Sequence, residues 1–246
     1  MIALITPTGA RPSQFNICEK LMRAQTYSGK VAWIIIDDYE PRSTDNVKDD
    51  FREGWTIHKE YPLPLWEPLF NTQGRNISVG INTLLKNYYE DEIEAIFIIE
   101  DDDYYKPIYL TEMTKRLVGY MCIGETRTIY YNVFYRSYVV NPNKHHASLF
   151  QVAFTPEAVS IFRMCLEDKF IDARFFHLLN KNRINLFSAG NLAVGIKGIG
   201  GRPGIGAGHT RAITRHNKDY NFLYLQDLIG IKDAQFYARY YGALSM

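Results

Sequence analysis

Two periods of apolar and polar residues alternate along this chain, and the places where one gives way to the other mark its elements. Ile2 to Ile5 is a continuous apolar run closed by Thr-Pro-Thr-Gly, the pattern of a buried strand ending in a loop. Ser13 then caps an expected helix with the stripe Ile17, Cys18, Leu21 and Met22, and Gly29 closes it. Val31 to Ile36 is a second β-branched run, ending in Asp37-Asp38. Strand, helix and strand in so short a span predict a right-handed βαβ unit and a parallel sheet.

Further along, Trp55 to Glu60 reads as a third strand, and Pro62, Pro64 and Pro68 make the next stretch irregular. Helical spacing of Ile77, Ile81, Leu84, Leu85 and Tyr88 predicts a helix over 76–89. Ala95 to Ile99 is a fourth, wholly apolar strand. A helix after Pro107 follows, with Ile108, Leu110, Met113 and Leu117 on one stripe. The β-branched and aromatic stretch 128–140 predicts one or two antiparallel strands. Thr155-Pro156-Glu157 opens a helix with a cap and a proline, and another short helix follows Asp172. No repeat or low-complexity linker interrupts the chain, so 1–246 reads as a single α/β domain.

Composition narrows the class. With 46% apolar residues and a net charge of +1 over 246 residues, the chain has neither signature of disorder, and it is long enough for a large core. No apolar run approaches the roughly 20 residues of a membrane span, so no membrane insertion is expected. The N-terminus lacks the pattern of a signal peptide, and the expectation is a soluble cytoplasmic protein. Three scattered cysteines, Cys18, Cys122 and Cys165, make neither a disulfide framework nor a zinc motif.

The near-zero net charge hides a segregation. Residues 90–103 hold eight acids and no base, whereas 173–218 hold eight bases and no acid. Such blocks are often solvated faces. Here the acids end an apolar strand and the bases interleave with glycines, eight of the seventeen lying between 190 and 208. A cation site facing a phosphate site gives that pattern.

Ligands of parallel α/β sheets collect at the C-terminal strand ends. Three such ends stand out: Thr6-Pro7-Thr8-Gly9-Ala10-Arg11, Asp37-Asp38 and Glu100-Asp101-Asp102-Asp103. On an extended chain Glu100 and Asp102 share one face and Asp101 and Asp103 the other. Four consecutive carboxylates repel one another, and a hard divalent cation shared with substrate phosphates relieves that repulsion.

This ordered set, with Gly74-Arg75-Asn76 and Gly80 leading through a helix to the acidic strand end and Tyr104, resembles the nucleotide-binding half of the GT-A-fold, family-2-like glycosyltransferases. The resemblance covers about residues 1–110. It implies a GT-A-like, Rossmann-type, mostly parallel sheet flanked by helices, with a smaller antiparallel element in the C-terminal half. Residues 1–105 would bind the nucleotide-sugar and 106–246 the acceptor, with a glycine-rich closing loop at 190–210.

Carried across residue by residue, the resemblance assigns Thr6, Pro7, Thr8 and Arg11 to the nucleoside or its diphosphate. It gives Asp38 or Asp37 to the uracil N–H, and Arg75 to the base or diphosphate. Of the acidic run, Glu100, Asp102 and Asp103 are the metal ligands, with Asp101 on the nucleotide-sugar; a pairing of Asp101 with Asp103 is the other alignment. His209 on the glycine-rich loop completes the metal shell, and Arg202 and Arg211 clamp the diphosphate. Asp172 occupies the place of the general base, although an Asp there is equally a helix cap. His145 and His146 are read as surface residues.

The implied activity is metal-dependent transfer (Mn2+ or Mg2+) of a sugar from a nucleotide-sugar, UDP-linked by preference, to an acceptor hydroxyl, with inversion. The acceptor is a saccharide or, given the excess of base in 173–218, a hydroxymethylated base in DNA. A nucleotidyltransferase-like enzyme and a non-catalytic nucleotide- or sugar-binding module are the alternatives.

Overall fold

A computed structural model describes residues 1–48, 50–67, 72–199, 202 and 217–243. The first β-α-β unit forms as the pattern requires, with β1 (Ile2–Thr8), α1 (Pro12–Arg23) and β2 (Val31–Asp37). Then come β3 (Trp55–Glu60), α2 (Gln73–Asn87), β4 (Ala95–Ile98), β5 (Tyr104–Tyr105) and α3 (Tyr109–Leu117). The second half adds β6 (Cys122–Glu125), β7 (Arg127–Asn132), β8 (Ser137–Pro142), β9 (Val152–Phe154), α4 (Val159–Arg163) and α5 (Ile171–Leu178). It ends with β10 (Ile184–Phe187), β11 (Ala193–Lys197), β12 (Asn217–Lys218), α6 (Leu223–Ile229) and α7 (Ile231–Ala243).

Seven strands form one sheet in the order β10-β6-β9-β4-β1-β2-β3. Only β9 runs against the others, pairing antiparallel with both β4 and β6. A smaller sheet, β12-β8-β7-β11-β5, is antiparallel except where β11 pairs with β7. Strands from both halves of the chain therefore share the main sheet.

The central strands are continuous apolar runs because both faces of the sheet are covered. Leu4, Trp33, Ile35 and Phe97 face α1, meeting Phe15, Ile17, Cys18 and Met22. Ala3, Ile5, Ile34, Ile36, Ile96 and Ile98 point the other way, toward Ile77, Ile81 and Leu84 of α2 and the ring group Phe154, Phe162 and Phe175. Each such isoleucine, fully buried, contributes about 1.5–3 kcal/mol. Gly80 lets α2 press onto the sheet, since a Cβ there would stand 2.6 Å from Ile5 and 2.8 Å from Ile36.

Four boundaries differ from the sequence expectation. Helix α1 begins at Pro12 with Arg11 at the cap position, so Ser13 lies inside the first turn. Proline tolerates that first position because it has no N–H to leave unpaired. The same helix stops at Arg23, well before Gly29. Helix α2 starts at Gln73, which puts Arg75 and Asn76 in its first turn. Helix α5 begins at Ile171 with Phe170 at the cap, so Asp172 is the second helical residue and not the N-cap. The stretch 128–140 resolves into the hairpin β7–β8, with Arg136 in the left-handed region at its turn.

Candidate active site

The ends of β1 and β4 and the turn after β4 bring a cluster of charge together. Residues 101–103 form a turn, not an extended strand, so the expected alternation of faces does not hold. Instead Glu100, Asp102 and Asp103 converge, each offering an oxygen within 4.8 Å of the others. Asp101 is drawn away toward β1: Thr8 Oγ1 donates to its Oδ2 at 2.7 Å, and Arg11 Nη1 lies 3.0 Å from its Oδ1. Arg11, free of any capping duty, also places Nη2 2.6 Å from Asp102 Oδ2.

A second cation comes from the other half of the chain. Strand β11 pairs antiparallel with β5, Ala193 opposite Tyr105 and Val194 opposite Tyr104. Continuing that register carries Ile196 and Lys197 back alongside the acidic turn. The Ile196 N–H donates to Asp103 Oδ1 at 2.8 Å, and Lys197 Nζ stands 3.3 Å from the same atom and 3.9 Å from Asp102 Oδ2. Sequence reasoning passed over Lys197, and the signal was a lysine ending the apolar run Ala-Val-Gly-Ile.

The three aspartates and Lys197 are buried and Glu100 and Arg11 half-buried, and this burial governs their proton affinities. It raises Asp103 and Glu100 above the ordinary carboxylate range, against the pull of Lys197. Asp101 is pushed up to about 6 by burial, with Arg11 opposing the shift. For Lys197 and Arg11 burial acts downward, but the surrounding aspartates outweigh it and hold both firmly protonated. Four carboxylates against two cations leave two negative charges when all are ionised. Asp103 Oδ2 is buried with no hydrogen-bond partner among the described residues. Hard oxygen donors, a surplus of two charges and an orphaned carboxylate oxygen together fit one divalent cation on Glu100, Asp102 and Asp103.

Beside this cluster lies a second one, centred on Asp38. Its Oδ2 accepts from Thr72 Oγ1 at 2.7 Å, Asn76 Nδ2 at 2.9 Å and Arg75 Nη2 at 3.0 Å. Arg202 Nη2 lies 2.8 Å from its Oδ1, and the same guanidinium sits 5.4 Å from the Trp66 ring centroid. Gly9, next to Thr8 in sequence, lies against this second cluster, since a Cβ there would meet Asp38 Oδ1 at 2.1 Å and the Arg202 guanidinium at 3.1 Å.

The sequence-predicted residues thus divide. Thr8, Arg11, Glu100, Asp101, Asp102 and Asp103 meet in one cluster, and Asp38, Arg75 and Arg202 in the other. Asp37 turns to the following loop, where Thr44 donates to it through both N–H and Oγ1 at 3.1 Å. Thr6 points into the core and accepts from Trp33 Nε1 at 2.9 Å; its side chain is not brought to the site. Pro7 is half-buried at the strand end. His209 and Arg211 lie outside the described residues.

Asp172 approaches from α5. Its Oδ1 accepts the Ala173 N–H at 2.9 Å, and burial raises its proton affinity, partly offset by that bond and by His146. Its charge in turn raises that of Glu100. Asp172 therefore stands within electrostatic reach of both the acidic cluster and His146. Also missed in the sequence was Glu125, buried at the end of β6, which accepts the N–H groups of Asn191 at 2.7 Å and Leu192 at 2.8 Å. It anchors the chain entering β11 and hence the strand that carries Lys197.

No protein-family model matches this sequence, and no curated protein matches it. Solved structures do. S. aureus TarS superimposes with a TM-score of 0.55 and 12% identity, over 79% of this chain and 36% of that one. A TarS 1–349 structure in complex with UDP gives 0.55 and 12%, covering 79% of this chain and 60% of that one. The complex of TarS 1–349 with UDP-GlcNAc gives 0.56 and 11%, covering 87% and 62%. The chain spans less than two thirds of the length of each of these proteins. The architecture is GT-A-like, a mostly parallel sheet between helices with a smaller second sheet. Among the described residues no helix is long and apolar enough to cross a membrane.

Proposed function

We propose that this chain is a metal-dependent glycosyltransferase that moves a sugar from a UDP-sugar to an acceptor hydroxyl. The observation that carries the reading is the convergence of the oxygens of Glu100, Asp102 and Asp103 at the strand ends of a GT-A-like sheet. The UDP and UDP-GlcNAc complexes of TarS, on the shared fold, support a uridine nucleotide-sugar as donor. Cytoplasmic residence and a donor half (1–105) separate from an acceptor half (106–246) belong to the same reading.

In that mechanism Glu100, Asp102 and Asp103 hold Mn2+ or Mg2+, with His209 as a further ligand. When bound, the ion offsets negative charge on the departing diphosphate. The chain's own residues do the rest. Arg202 and Arg211 bind diphosphate oxygens as charge-assisted donors. Asp38, with Arg75, orders the nucleoside side of the site, and Thr8 and Arg11 hold Asp101 beside it. Asp172 takes the proton of the acceptor hydroxyl as its oxygen attacks the anomeric carbon. The new C–O bond forms on the face opposite the breaking bond to the phosphate oxygen, which leaves with the electron pair. Inversion follows from that geometry.

Thermal denaturation with UDP and UDP-GlcNAc, each with Mn2+ or with chelator, tests the donor site. A ligand at about a hundred times its Kd stabilises the fold by roughly 2.7 kcal/mol. The expected result is a metal-requiring upward shift with UDP that disappears in Asp102→Ala. No shift with either nucleotide in the presence of Mn2+ would overturn the reading.

A further inference from the structure

Lys197 reaches the acidic cluster from the second sheet on a backbone fastened along both edges. Strand β11 runs beside β7 with Lys197 opposite Asn132, and the Val133 N–H donates to the Lys197 carbonyl at 2.8 Å. On the other edge the neighbouring Ile196 N–H is bound to Asp103. The Lys197 side chain is buried, and its ammonium stands 3.3 Å from Asp103 Oδ1 and 3.9 Å from Asp102 Oδ2. Burial works against its charge, but Asp102, Asp103 and Glu100 outweigh that effect and keep it protonated. A positive charge is thus held on two of the three carboxylates that converge.

Arg11, the other cation here, is placed differently. Its guanidinium divides between Asp102 and Asp101, and Asp101 lies outside the converging set. That second anchor keeps Arg11 in place whatever the other carboxylates bind. Both carboxylates beside Lys197 belong to the set. Two cations on the same carboxylates repel each other, and at a buried site salt screens them little. Lysine can yield, because its ammonium rides on a flexible four-carbon stem. The Tyr130 ring gives it a second seat, with its centroid 5.7 Å from Nζ. That ring is held by its hydroxyl, 2.9 Å from Ser148 Oγ, and by Gly195, where a Cβ would stand 2.5 Å from it.

We infer that Lys197 is the resident cation of the acidic cluster, which a divalent ion must displace, and that it holds down the metal affinity of the nucleotide-free protein. The inference rests on the metal-dependent reading above. It gives removal of the Lys197 charge two effects of opposite sign. Without metal, Asp102 and Asp103 lose a counter-charge and the fold is weakened. With metal, the ion meets no competitor and binds more tightly. A purely structural lysine would give one sign only, since a damaged cluster binds metal less well.

Titration of the whole chain with Mn2+ in the absence of nucleotide, followed by the EPR signal of the free ion, tests this. Lys197→Met removes the charge, Lys197→Gln removes it but keeps an N–H for Asp103, and Lys197→Arg retains it. The Met and Gln variants are expected to bind Mn2+ about tenfold more tightly than the wild type, and the Arg variant within about threefold of it. Thermal melts read the same effect in a variant that is only partly folded: Mn2+ alone should raise its midpoint by more than it raises that of the wild type. Unchanged or weaker Mn2+ binding with no larger melting shift in both charge-removing variants overturns the inference, as does equal tightening in Lys197→Arg. Absence of Mn2+ binding in all four proteins removes it together with the metal-dependent reading. Tighter Mn2+ in the Met and Gln variants, with a wild type that ignores UDP in Mn2+, defeats the glycosyltransferase reading and leaves Lys197 as the competitor of the metal.

Discussion

Lys197 Nζ lies 3.3 Å from Asp103 Oδ1, across 94 residues of sequence, and both side chains are nearly excluded from solvent. This contact ties the second sheet to the acidic turn. Removing one member of a buried pair leaves the other charged and unpartnered, at a cost of about 3–5 kcal/mol. Lys197→Met is therefore expected to lower the urea midpoint sharply, and Lys197→Met with Asp103→Asn to recover part of the loss. Equal stability of the single and double variants would show that the two groups are not coupled.

Asp38 is fully buried and holds Thr72, Arg75, Asn76 and Arg202 around one carboxylate. Asp38→Ala strands two guanidinium groups and two neutral donors, so a loss of roughly 3–5 kcal/mol is expected. Weaker UDP binding should accompany it, measured by calorimetry at a temperature where the variant stays folded. A variant as stable as the wild type would mean that these partners find other acceptors.

Packing of α2 on the sheet rests on the missing side chain of Gly80. Gly80→Ala brings a Cβ to 2.6 Å from Ile5 Cγ2 and 2.8 Å from Ile36 Cδ1. Overpacking of this kind costs about 1–3 kcal/mol. Chemical denaturation should show that loss, with partial relief in Gly80→Ala/Ile36→Val, because the shortened side chain makes room. A stabilised Gly80→Ala would mean that the helix shifts freely.

The pH dependence of Asp172 has opposite signs for stability and for rate. Burial raises its pKa above the ordinary 3.8, so the folded chain binds its proton more tightly than the unfolded one. Stability from this group is full below the ordinary value and declines as pH rises through the raised one. Rate runs the other way, since the base must be ionised: transfer should rise with pH through that same raised value. Asp172→Asn should abolish transfer and flatten this part of the stability profile, compared by thermal melts from pH 3.5 to 7. An Asp172→Asn enzyme with near-normal turnover would remove the base assignment.

Much of the architecture was legible because it rests on local pattern. Ile2–Ile5, Val31–Ile36 and Ala95–Ile98 are apolar on both faces, and a strand of that kind needs helices on both sides. Their polar ends had to lie on one edge, which places Thr8, Asp38 and Glu100–Asp103 near one another without any knowledge of contacts. The short strands β6, β9 and β10 carried too little pattern to be read, and they are defined by pairing with distant partners.

Residue type and spacing by themselves determined that this chain makes a parallel α/β sheet with a carboxylate cluster at its ligand-bearing edge. Which carboxylates converge was decided by tertiary structure: the turn at 101–103 breaks the two-residue alternation, and Arg11 and Thr8 draw Asp101 away from Glu100, Asp102 and Asp103. That Thr6 serves Trp33 in the core and that Lys197 answers Asp103 were equally invisible in the sequence. Each depends on the register of strands or the approach of elements far apart in the chain. Local pattern specifies which face of an element is buried, but long-range pairing specifies what each buried charge meets there.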